Sequence, residues 1–212
     1  MGPARVTLPG RYVTVAPLDP ISHAESLWEG CGGAANAELW DWMWDGPFPD
    51  RASFDEQLTA KARSEDPLFS AYIETANGRA VGLGSFMRID DKNRVIEVGS
   101  LMFGRAMQRT RASTEAMYLM AKYVFEELRY RRYEWKCNAL NEPSRRTALR
   151  LGFTFEGIFR QHMIVKGKNR DTAWFAMLDG EWPARKAEFE RWLDSANFDE
   201  AGIQKTRLTQ AN

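Results

Sequence analysis

Cysteine and histidine are scarce in this sequence. Its 212 residues include two cysteines, Cys31 and Cys137, and two histidines. The cysteines are far apart along the chain and belong to no C-x-x-C pattern, which argues against a disulfide framework and against a zinc site. We therefore expect reduced thiols and no bound metal.

A net charge and a long apolar run are also missing. Twenty-nine basic and twenty-nine acidic residues cancel, so no long-range field attracts nucleic acid or an anionic membrane surface. No apolar segment is long enough to cross a bilayer, and the opening MGPARVTLPG lacks the apolar middle of a secretion signal. We expect a cytoplasmic protein that binds neither nucleic acid nor membrane.

The chain length suits one domain. A chain of 212 residues, of which 44% are hydrophobic, can bury one sizeable core and is short for two. We predict a single domain over residues 1–195, followed by a polar C-terminal tail at 196–212 that is expected to fray.

Hydrophobic spacing alternates between the two-residue period of strands and the 3.6-residue period of helices. The second predicted helix has Ser53 as its N-cap, and a hairpin turn is predicted at Asn77–Gly78. The predicted elements are a strand at 11–19, helices at 20–30 and 53–66, a three-strand meander at 69–103, a helix at 112–129, a strand at 131–140, a short helix at 142–153, a hairpin at 154–178 and a helix at 181–193.

The stretch MQRTRASTEAMYLM, at 107–120, contains no glycine. Phosphate loops usually depend on glycine, because a residue without Cβ lets the backbone close around the ligand. Donor side chains are nevertheless crowded in front of a helical run, namely Gln108, Arg109, Arg111, Ser113 and Thr114. The stretch fits an anion-binding helix start, and it also fits an ordinary Ser/Thr-capped helix with surface arginines.

Glu97 lies inside the predicted strand RVIEVGSLMF at 94–103. Strand alternation places Glu97, Leu101 and Phe103 on one face and Ile96, Val98 and Met102 on the other. Apolar neighbours disfavour the charged form of a carboxylate, which suits a general base. A salt-bridged or sheet-edge glutamate is the alternative.

An aromatic segment, AELWDWMWDGPFPD at 37–50, mixes tryptophans with aspartates. One interpretation is the wall of a substrate cleft with acid groups at its mouth, formed by Trp40, Trp44, Asp45 and Phe48. The other is that these large rings anchor the core, because an aromatic side chain buries a large apolar area.

The segment YRRYEWKCNALNEPSRRTALRLGFTFEGIFR, at 130–160, resembles the GNAT superfamily of acyl-CoA-dependent N-acetyltransferases, in particular its RimJ/RimL-type branch. The pattern N..S...A..LGF..EG..R carries the resemblance, and LWDWMWDGPF at 39–48 and IEVGSLMFGRAMQRTRASTEA at 96–116 are similar to the same branch. The resemblance runs from Tyr12 to Leu193. It implies an α/β (α+β) GNAT fold with a mixed, mostly antiparallel sheet of about seven strands. That sheet is splayed into a V and flanked by helices, with an extra C-terminal helix.

The resemblance also implies acetyl-CoA as co-substrate. The backbone of 101–103 would bind the pantetheine arm, and the pyrophosphate loop would fall on 108–113, where Arg111 replaces the family's first glycine. Asn141 would contact the pantetheine side, and Ser144 would lie near the thioester sulfur. The implied cofactor-binding residues are Leu101, Met102, Phe103, Gln108, Arg109, Thr110, Arg111, Ala112, Ser113, Thr114, Asn141, Ser144 and Arg145.

The implied reaction moves an acetyl group from acetyl-CoA to a primary amine by direct attack in a ternary complex. The amine would belong to a protein N-terminus, a small molecule or an aminoacyl compound. Glu97 would be the general base, directly or through water, and Ser144 would share a proton with the departing thiolate.

Three alternatives stay open at this point. One is a non-catalytic acyl-CoA sensor or scaffold of the same fold. RNA binding through YRRYEWK, at 130–136, is disfavoured by the charge balance and by the strand-like alternation. The third alternative is an enzyme of another substrate class, which acylates a small amine or an antibiotic-like nucleotide amine rather than a protein N-terminus. Whether an exposed strand edge and the aromatic segment make a homodimer is a separate question.

Overall fold

A single eight-stranded sheet forms the centre of the protein. The computed structural model describes residues 2–208. The strands are β1 Leu8–Pro9, β2 Val13–Pro17, β3 Leu68–Glu74, β4 Ala80–Asp90, β5 Val95–Phe103, β6 Arg132–Asn138, β7 Thr154–Val165 and β8 Lys168–Leu178. The seven longer strands are those expected, and the eighth is the two-residue β1.

Five α-helices and three shorter helical segments surround the sheet. The α-helices are α1 Pro20–Cys31, α2 Arg51–Arg63, α3 Arg111–Lys122, α4 Glu142–Arg150 and α5 Trp182–Leu193. Short 3₁₀ segments cover Ala34–Trp40 and Ser195–Asn197, and a π-helical turn at Tyr123–Glu127 continues α3. The helix expected at 112–129 is therefore present, with its last turn wound more widely.

The strand order is β1-β2-β3-β4-β5-β6-β8-β7. All neighbours are antiparallel except β5 and β6, which are parallel. A parallel pair requires a crossover connection, and α3 with its π-helical turn supplies it. The expected mixed, mostly antiparallel sheet is confirmed.

Helix α2 begins earlier than the sequence predicts. Its N-cap is Asp50, whose carboxylate accepts a hydrogen bond from the Ser53 backbone N–H at 2.8 Å. Ser53 lies inside the first turn, and its hydroxyl donates to the Asp50 carbonyl. The prediction of Ser53 as the cap was wrong, because the aspartate three residues earlier takes that role.

Two apolar cores lie on opposite faces of the sheet. Helices α3 and α5 cover one face, which we call the α3 face, and their core includes Val15, Ile96 and Trp135. Helices α1 and α2 cover the other, which we call the α1 face, with a core that includes Leu27 and Phe54. Each face of the sheet is thus buried over part of its length by helices.

Glu115 fixes α3 to the neighbouring edge of the sheet. This side chain is 6% exposed. Its two oxygens accept hydrogen bonds from the backbone N–H groups of Arg11, Tyr12 and Val13 at 2.6–2.9 Å. Such charge-assisted hydrogen bonds are stronger than neutral ones, so the start of β2 is held to the helix.

The segment after α5 is packed rather than frayed as far as residue 208. Trp192 Nε1 donates to the Gln204 side chain at 2.7 Å, and the Asn197 amide donates to the Thr206 carbonyl at 3.1 Å. Leu208 is buried against the α3-face core. The expectation of a frayed tail is wrong for 196–208, while residues 209–212 lie outside the described part of the chain.

Between residues 2 and 208, no helix combines the length and the apolar character needed to cross a membrane.

Candidate active site

The two parallel strands at the centre of the sheet, β5 and β6, stop pairing halfway along their length. Pairing ends at Val98 opposite Trp135, although β5 continues to Phe103 and β6 to Asn138. The sheet therefore opens into a V beyond Val98. The β6-facing backbone groups of β5 have no strand partner there, so they are available to a ligand.

A β-bulge bends β5 at this opening. Ser100 and Leu101 together face the single residue Gly84 of β4, and Ser100 has a φ of 51°. A bulge of this kind bends its strand and increases the local twist. It therefore directs the end of β5 away from β6.

The bulge also reverses the alternation that the sequence predicts for the end of β5. Ile96 and Val98 belong to the α3-face core, and Leu101 and Phe103 pack against it too. Met102 is buried in the α1-face core. The expected grouping of Met102 with Ile96 and Val98 was wrong, because the extra residue in the bulge shifts the period by one.

Glu97 contacts cations. Its side chain is 3% exposed, and its Oε2 lies 2.7 Å from the Arg88 guanidinium and 2.8 Å from Lys136 Nζ. Lys136 is itself only 4% exposed. The expectation of purely apolar neighbours was wrong, and the alternative of a salt-bridged glutamate describes this side chain.

The second oxygen of Glu97 is placed differently. Both ion pairs use Oε2. A Cβ added to Gly99 would lie 3.4 Å from Oε1, so Oε1 is on the Gly99 side of the carboxylate. Gly99 is the first residue of β5 beyond the last pair with β6. Oε1 therefore lies on the side of the opening of the V.

Helix α3 begins at the open end of β5. Thr110 is its N-cap, with a hydroxyl that accepts from the Ser113 N–H at 3.3 Å, and the Ser113 hydroxyl donates to the Thr110 carbonyl. Ala112 is buried. These side chains shape the helix start, while N–H groups of the first turn and the helix dipole make such an end attractive to anions.

Other expected phosphate donors in this loop are engaged within the protein. The Gln108 amide donates to the Phe103 carbonyl at 3.0 Å. Thr114 is 3% exposed, and its hydroxyl accepts from Arg150 at 3.1 Å. Arg109 is exposed, with a φ of 60°. Of these three residues, Arg109 has the side chain that is free to meet a ligand.

Arg111 has partners that the sequence did not predict. Its guanidinium lies 4.6 Å from the Tyr12 ring centroid and 4.8 Å from the Phe198 ring centroid. Cation–π contacts of this kind stabilise packed aromatic surfaces. Arg111 thus links Tyr12, the residue before β2, to the segment after α5.

Helix α4 forms the opposite side of the opening. Its N-cap, Asn141, accepts from the Ser144 N–H at 3.1 Å. Ser144 Oγ accepts from Trp135 Nε1 at 3.0 Å. Arg145 donates to a backbone carbonyl at the end of β6. The Ser144 hydroxyl is therefore placed beside the separating end of β6.

The thiols are poor candidates for a nucleophile. Burial raises the pKa of Cys137, and it raises the pKa of Cys31 to about 12. A thiol with a raised pKa holds little thiolate at neutral pH. Among the described residues, no three His, Cys, Asp or Glu side chains gather in a way that could hold a metal ion.

The aromatic segment divides between core and surface. Trp40 is 1% exposed, and its Nε1 donates to the Cys31 carbonyl at 2.7 Å. Phe48 packs edge-on against Trp40 at 4.9 Å, and Asp45 is ion-paired with Lys61. Core anchorage, the second interpretation of this segment, describes Trp40. Trp44 remains 37% exposed.

Sequence reasoning missed a row of side chains on β8. Arg170, Thr172 and Trp174 occupy alternate positions, and Trp174 lies opposite Lys136 of β6. The Arg170 guanidinium lies 4.7 Å from the Trp44 ring centroid. The alternation in RDTAW, at 170–174, predicts that Arg170, Thr172 and Trp174 share one face of the strand. The side chains that contact this row could not be predicted without knowledge of the β6–β8 pairing.

Comparison with known proteins adds a family match. Residues 14–154 match the family model described as acetyltransferase (GNAT) domain. A GCN5-related N-acetyltransferase from Brucella melitensis is 48% identical, with a TM-score of 0.95 over 97% of this chain and 93% of that one. A structure from Chromobacterium violaceum, assigned to the GNAT family, is 36% identical, with a TM-score of 0.79 over 85% of this chain and 90% of that one.

A curated relative also matches. YdaF from Bacillus subtilis (strain 168), whose name proposes a ribosomal N-acetyltransferase, is 30% identical over 110 residues. The match covers 52% of this chain and 60% of YdaF. It supports the RimJ/RimL-type branch that the sequence resembles.

Arg109 and Arg111, at the start of α3, should have different roles: Arg111 should contribute to stability and Arg109 to acetyl-CoA binding. Arg111→Gln should lower the free energy of unfolding by about 1 kcal/mol, because two cation–π contacts are lost, and should leave acetyl-CoA affinity nearly unchanged. Arg109→Gln should weaken acetyl-CoA binding without changing stability. Thermal unfolding and calorimetric titration measure both quantities, and loss of affinity in Arg111→Gln at unchanged stability would contradict this assignment.

Proposed function

Because the chain belongs to the GNAT acetyltransferase family, we propose that it moves the acetyl group of acetyl-CoA directly to a primary amine bound in the same complex. It is an acyl-CoA-dependent acetyltransferase. The observation that carries the proposed mechanism is the opening between β5 and β6. Glu97 and the start of α3 lie beside the β5 edge, and Ser144 lies beside the β6 edge.

The pantetheine arm of acetyl-CoA would lie along the open edge of β5. Backbone groups of Leu101, Met102 and Phe103 follow the last pair with β6. A ligand with amide groups can use such an edge as a neighbouring strand would. This placement points the acetyl end of the ligand into the V.

The pyrophosphate would lie at the N-terminus of α3. The first-turn N–H groups that the Thr110 cap does not use and the positive end of the helix dipole favour anions, and the exposed Arg109 adds a donor. Since the backbone supplies most of these donors, this site does not need the glycine that 107–120 lacks.

The acceptor amine must lose a proton before its nitrogen attacks the thioester carbonyl, and Glu97 is the proposed base. Oε1 would take the proton, directly or through one water, while Oε2 stays paired with Arg88 and Lys136. Attack breaks the carbonyl π bond and places negative charge on its oxygen, where a backbone N–H near Met102 would stabilise it.

Collapse of the tetrahedral intermediate releases CoA as a thiolate. The Ser144 hydroxyl would lie beside the departing sulfur and donate a hydrogen bond to it. A thiol has a pKa near 8.5, so the thiolate needs little acid assistance. Ser144 is therefore proposed to orient the thioester and share a proton. Asn141 and Arg145, from the same helix start, would contact the pantetheine and the phosphates.

The acceptor is proposed to be a protein N-terminus, a small molecule or an aminoacyl amine. Trp44 is exposed and Phe48 is half-buried, and both rings would border its cleft. Because the name of YdaF proposes a ribosomal substrate, N-terminal peptides of ribosomal proteins belong among the acceptors tested.

The purified protein should bind acetyl-CoA in a calorimetric titration. It should also release thiol when acetyl-CoA is mixed with a cognate member of a panel of amines, peptides and aminoacyl compounds. The same panel without protein gives the background rate. Absence of acetyl-CoA binding would rule out the proposed function.

Glu97→Gln should lower kcat for the cognate amine by about 10²–10⁴-fold, the usual contribution of a general base. Its affinity for acetyl-CoA should stay close to that of the unchanged protein. Glu134→Gln is the matched control, because Glu134 is also buried and paired with Lys136, but both of its carboxylate oxygens are engaged, Oε1 by Arg132 and Oε2 by Lys136. Equal kcat values for the two variants would remove Glu97 from the chemistry.

The edge strand β7 is suited to a second copy of the chain. Phe155, Ile158 and Phe159 on this strand are 43%, 44% and 51% exposed, and exposed apolar edges favour association. We propose a homodimer through β7. Gel filtration with light scattering should give twice the chain mass, and a monomer at micromolar concentration would contradict it.

A further inference from the structure

Arg170 is a buried cation without a carboxylate partner. Its side chain belongs to a residue that is 7% exposed, and its Nε donates to the Thr172 hydroxyl at 3.2 Å. It forms no ion pair with any carboxylate of residues 2–208. One face of its guanidinium covers the Trp44 ring.

The other charges around Arg170 are already paired with one another. Glu97 is ion-paired with Arg88 and Lys136, and Lys136 also pairs with Glu134. These carboxylates are therefore already engaged with other cations, and Arg170 has no ion-pair partner of its own.

An uncompensated buried cation is costly in free energy. Burial lowers the pKa of the Arg170 guanidinium, since it disfavours the charged form. The planar fork of arginine matches a carboxylate or a phosphate in two parallel hydrogen bonds. An anion supplied by a ligand would meet both the charge and the unused donors.

Side chains connect Arg170 to the proposed base along the α1 face. Lys136 contacts Glu97, and its ammonium lies 4.0 Å from the Trp174 ring centroid. Trp174 is two positions from Thr172 on β8, and Thr172 is two positions from Arg170. A ligand with its amine at Glu97 can therefore extend along this row to Arg170.

Aromatic side chains flank the same row. Phe159 lies 4.4 Å from Trp174 between ring centroids, and the His162 ring lies 5.5 Å from Phe159. Trp44 covers Arg170 from the aromatic segment. Apolar or planar parts of a ligand would pack on these rings, while the acidic residue once expected at the mouth of the cleft, Asp45, is already paired with Lys61.

We propose that the acceptor amine carries an anionic group, a carboxylate or a phosphate, and that Arg170 binds this group and so determines acceptor specificity. The inference rests on the proposed function, because it names the acceptor class of the same site. It favours acidic amino acids, peptides or phosphorylated amines over cationic amines such as polyamines.

The test uses the whole protein saturated with CoA, so that no acetyl transfer occurs. Calorimetry compares probes in pairs that differ in charge: alanine with alaninamide, Ala-Glu amide with Ala-Gln amide, and Ala-phosphoserine amide with Ala-Ser amide. The first two pairs report a carboxylate and the third a phosphate. The anionic member of at least one pair should bind about tenfold tighter or more, as expected for charge-assisted hydrogen bonds.

Variants assign this discrimination to Arg170. Arg170→Gln should abolish the preference, and Arg170→Lys should keep part of it, because the charge remains while the fork is lost. Arg160→Gln is the matched control, since Arg160 is exposed on the neighbouring strand β7, and it should keep the full preference. Thermal unfolding and acetyl-CoA affinity check that each variant is folded.

Several results would overturn the inference. They are equal affinity within every pair, no measurable binding of any probe, or a preference that survives in Arg170→Gln. These results leave the proposed function intact if acetyl-CoA still binds and neutral amines are acetylated. Loss of acetyl-CoA binding by the unchanged protein would instead refute the proposed function.

Discussion

Parallel pairing between β5 and β6 stops at Val98, and the ligand site depends on the open edge created there. The bulge at Ser100 bends β5 two residues further on, where continued pairing would otherwise be possible. Since the bulge adds a residue, it also sends Met102 into the α1-face core. One backbone irregularity thus opens the sheet, frees hydrogen-bonding groups and anchors the strand end on the other face.

The connection from the end of β5 to α3 contains one glycine, Gly104. A Cβ at Gly104 would lie 2.7 Å from the Val81 carbonyl oxygen, so the close approach of the loop to β4 requires glycine there. The following loop has none, because Thr110 caps the helix and Arg109 adopts the left-handed conformation itself. Anion binding at such a helix start depends on its N–H groups rather than on a glycine-rich turn.

The sequence predicted those parts of the structure that depend on features within a few consecutive residues. Periodicity and turn residues located every long strand and helix, because those signals act over a few residues. The bulge was not predicted, since simple alternation cannot reveal an extra residue in a strand. The ion-pair partners of Glu97 were not predicted either, since Lys136 is 39 residues away in the sequence. Arg111 meets rings of Tyr12 and Phe198, which are brought together only by the tertiary fold.

The buried cations beside the opening differ in how many counter-ions they have. Lys136 contacts both Glu97 and Glu134, so loss of either carboxylate leaves this ammonium with one counter-ion. The same arrangement fixes Oε2 of Glu97 and leaves Oε1 on the side of the V. Arg170, on the same face, has aromatic and hydroxyl contacts but no such counter-ion. Burying the Arg170 charge costs free energy, which the Trp44 and Thr172 contacts offset only in part. An anionic group on the acceptor would supply the counter-ion that the described carboxylates do not.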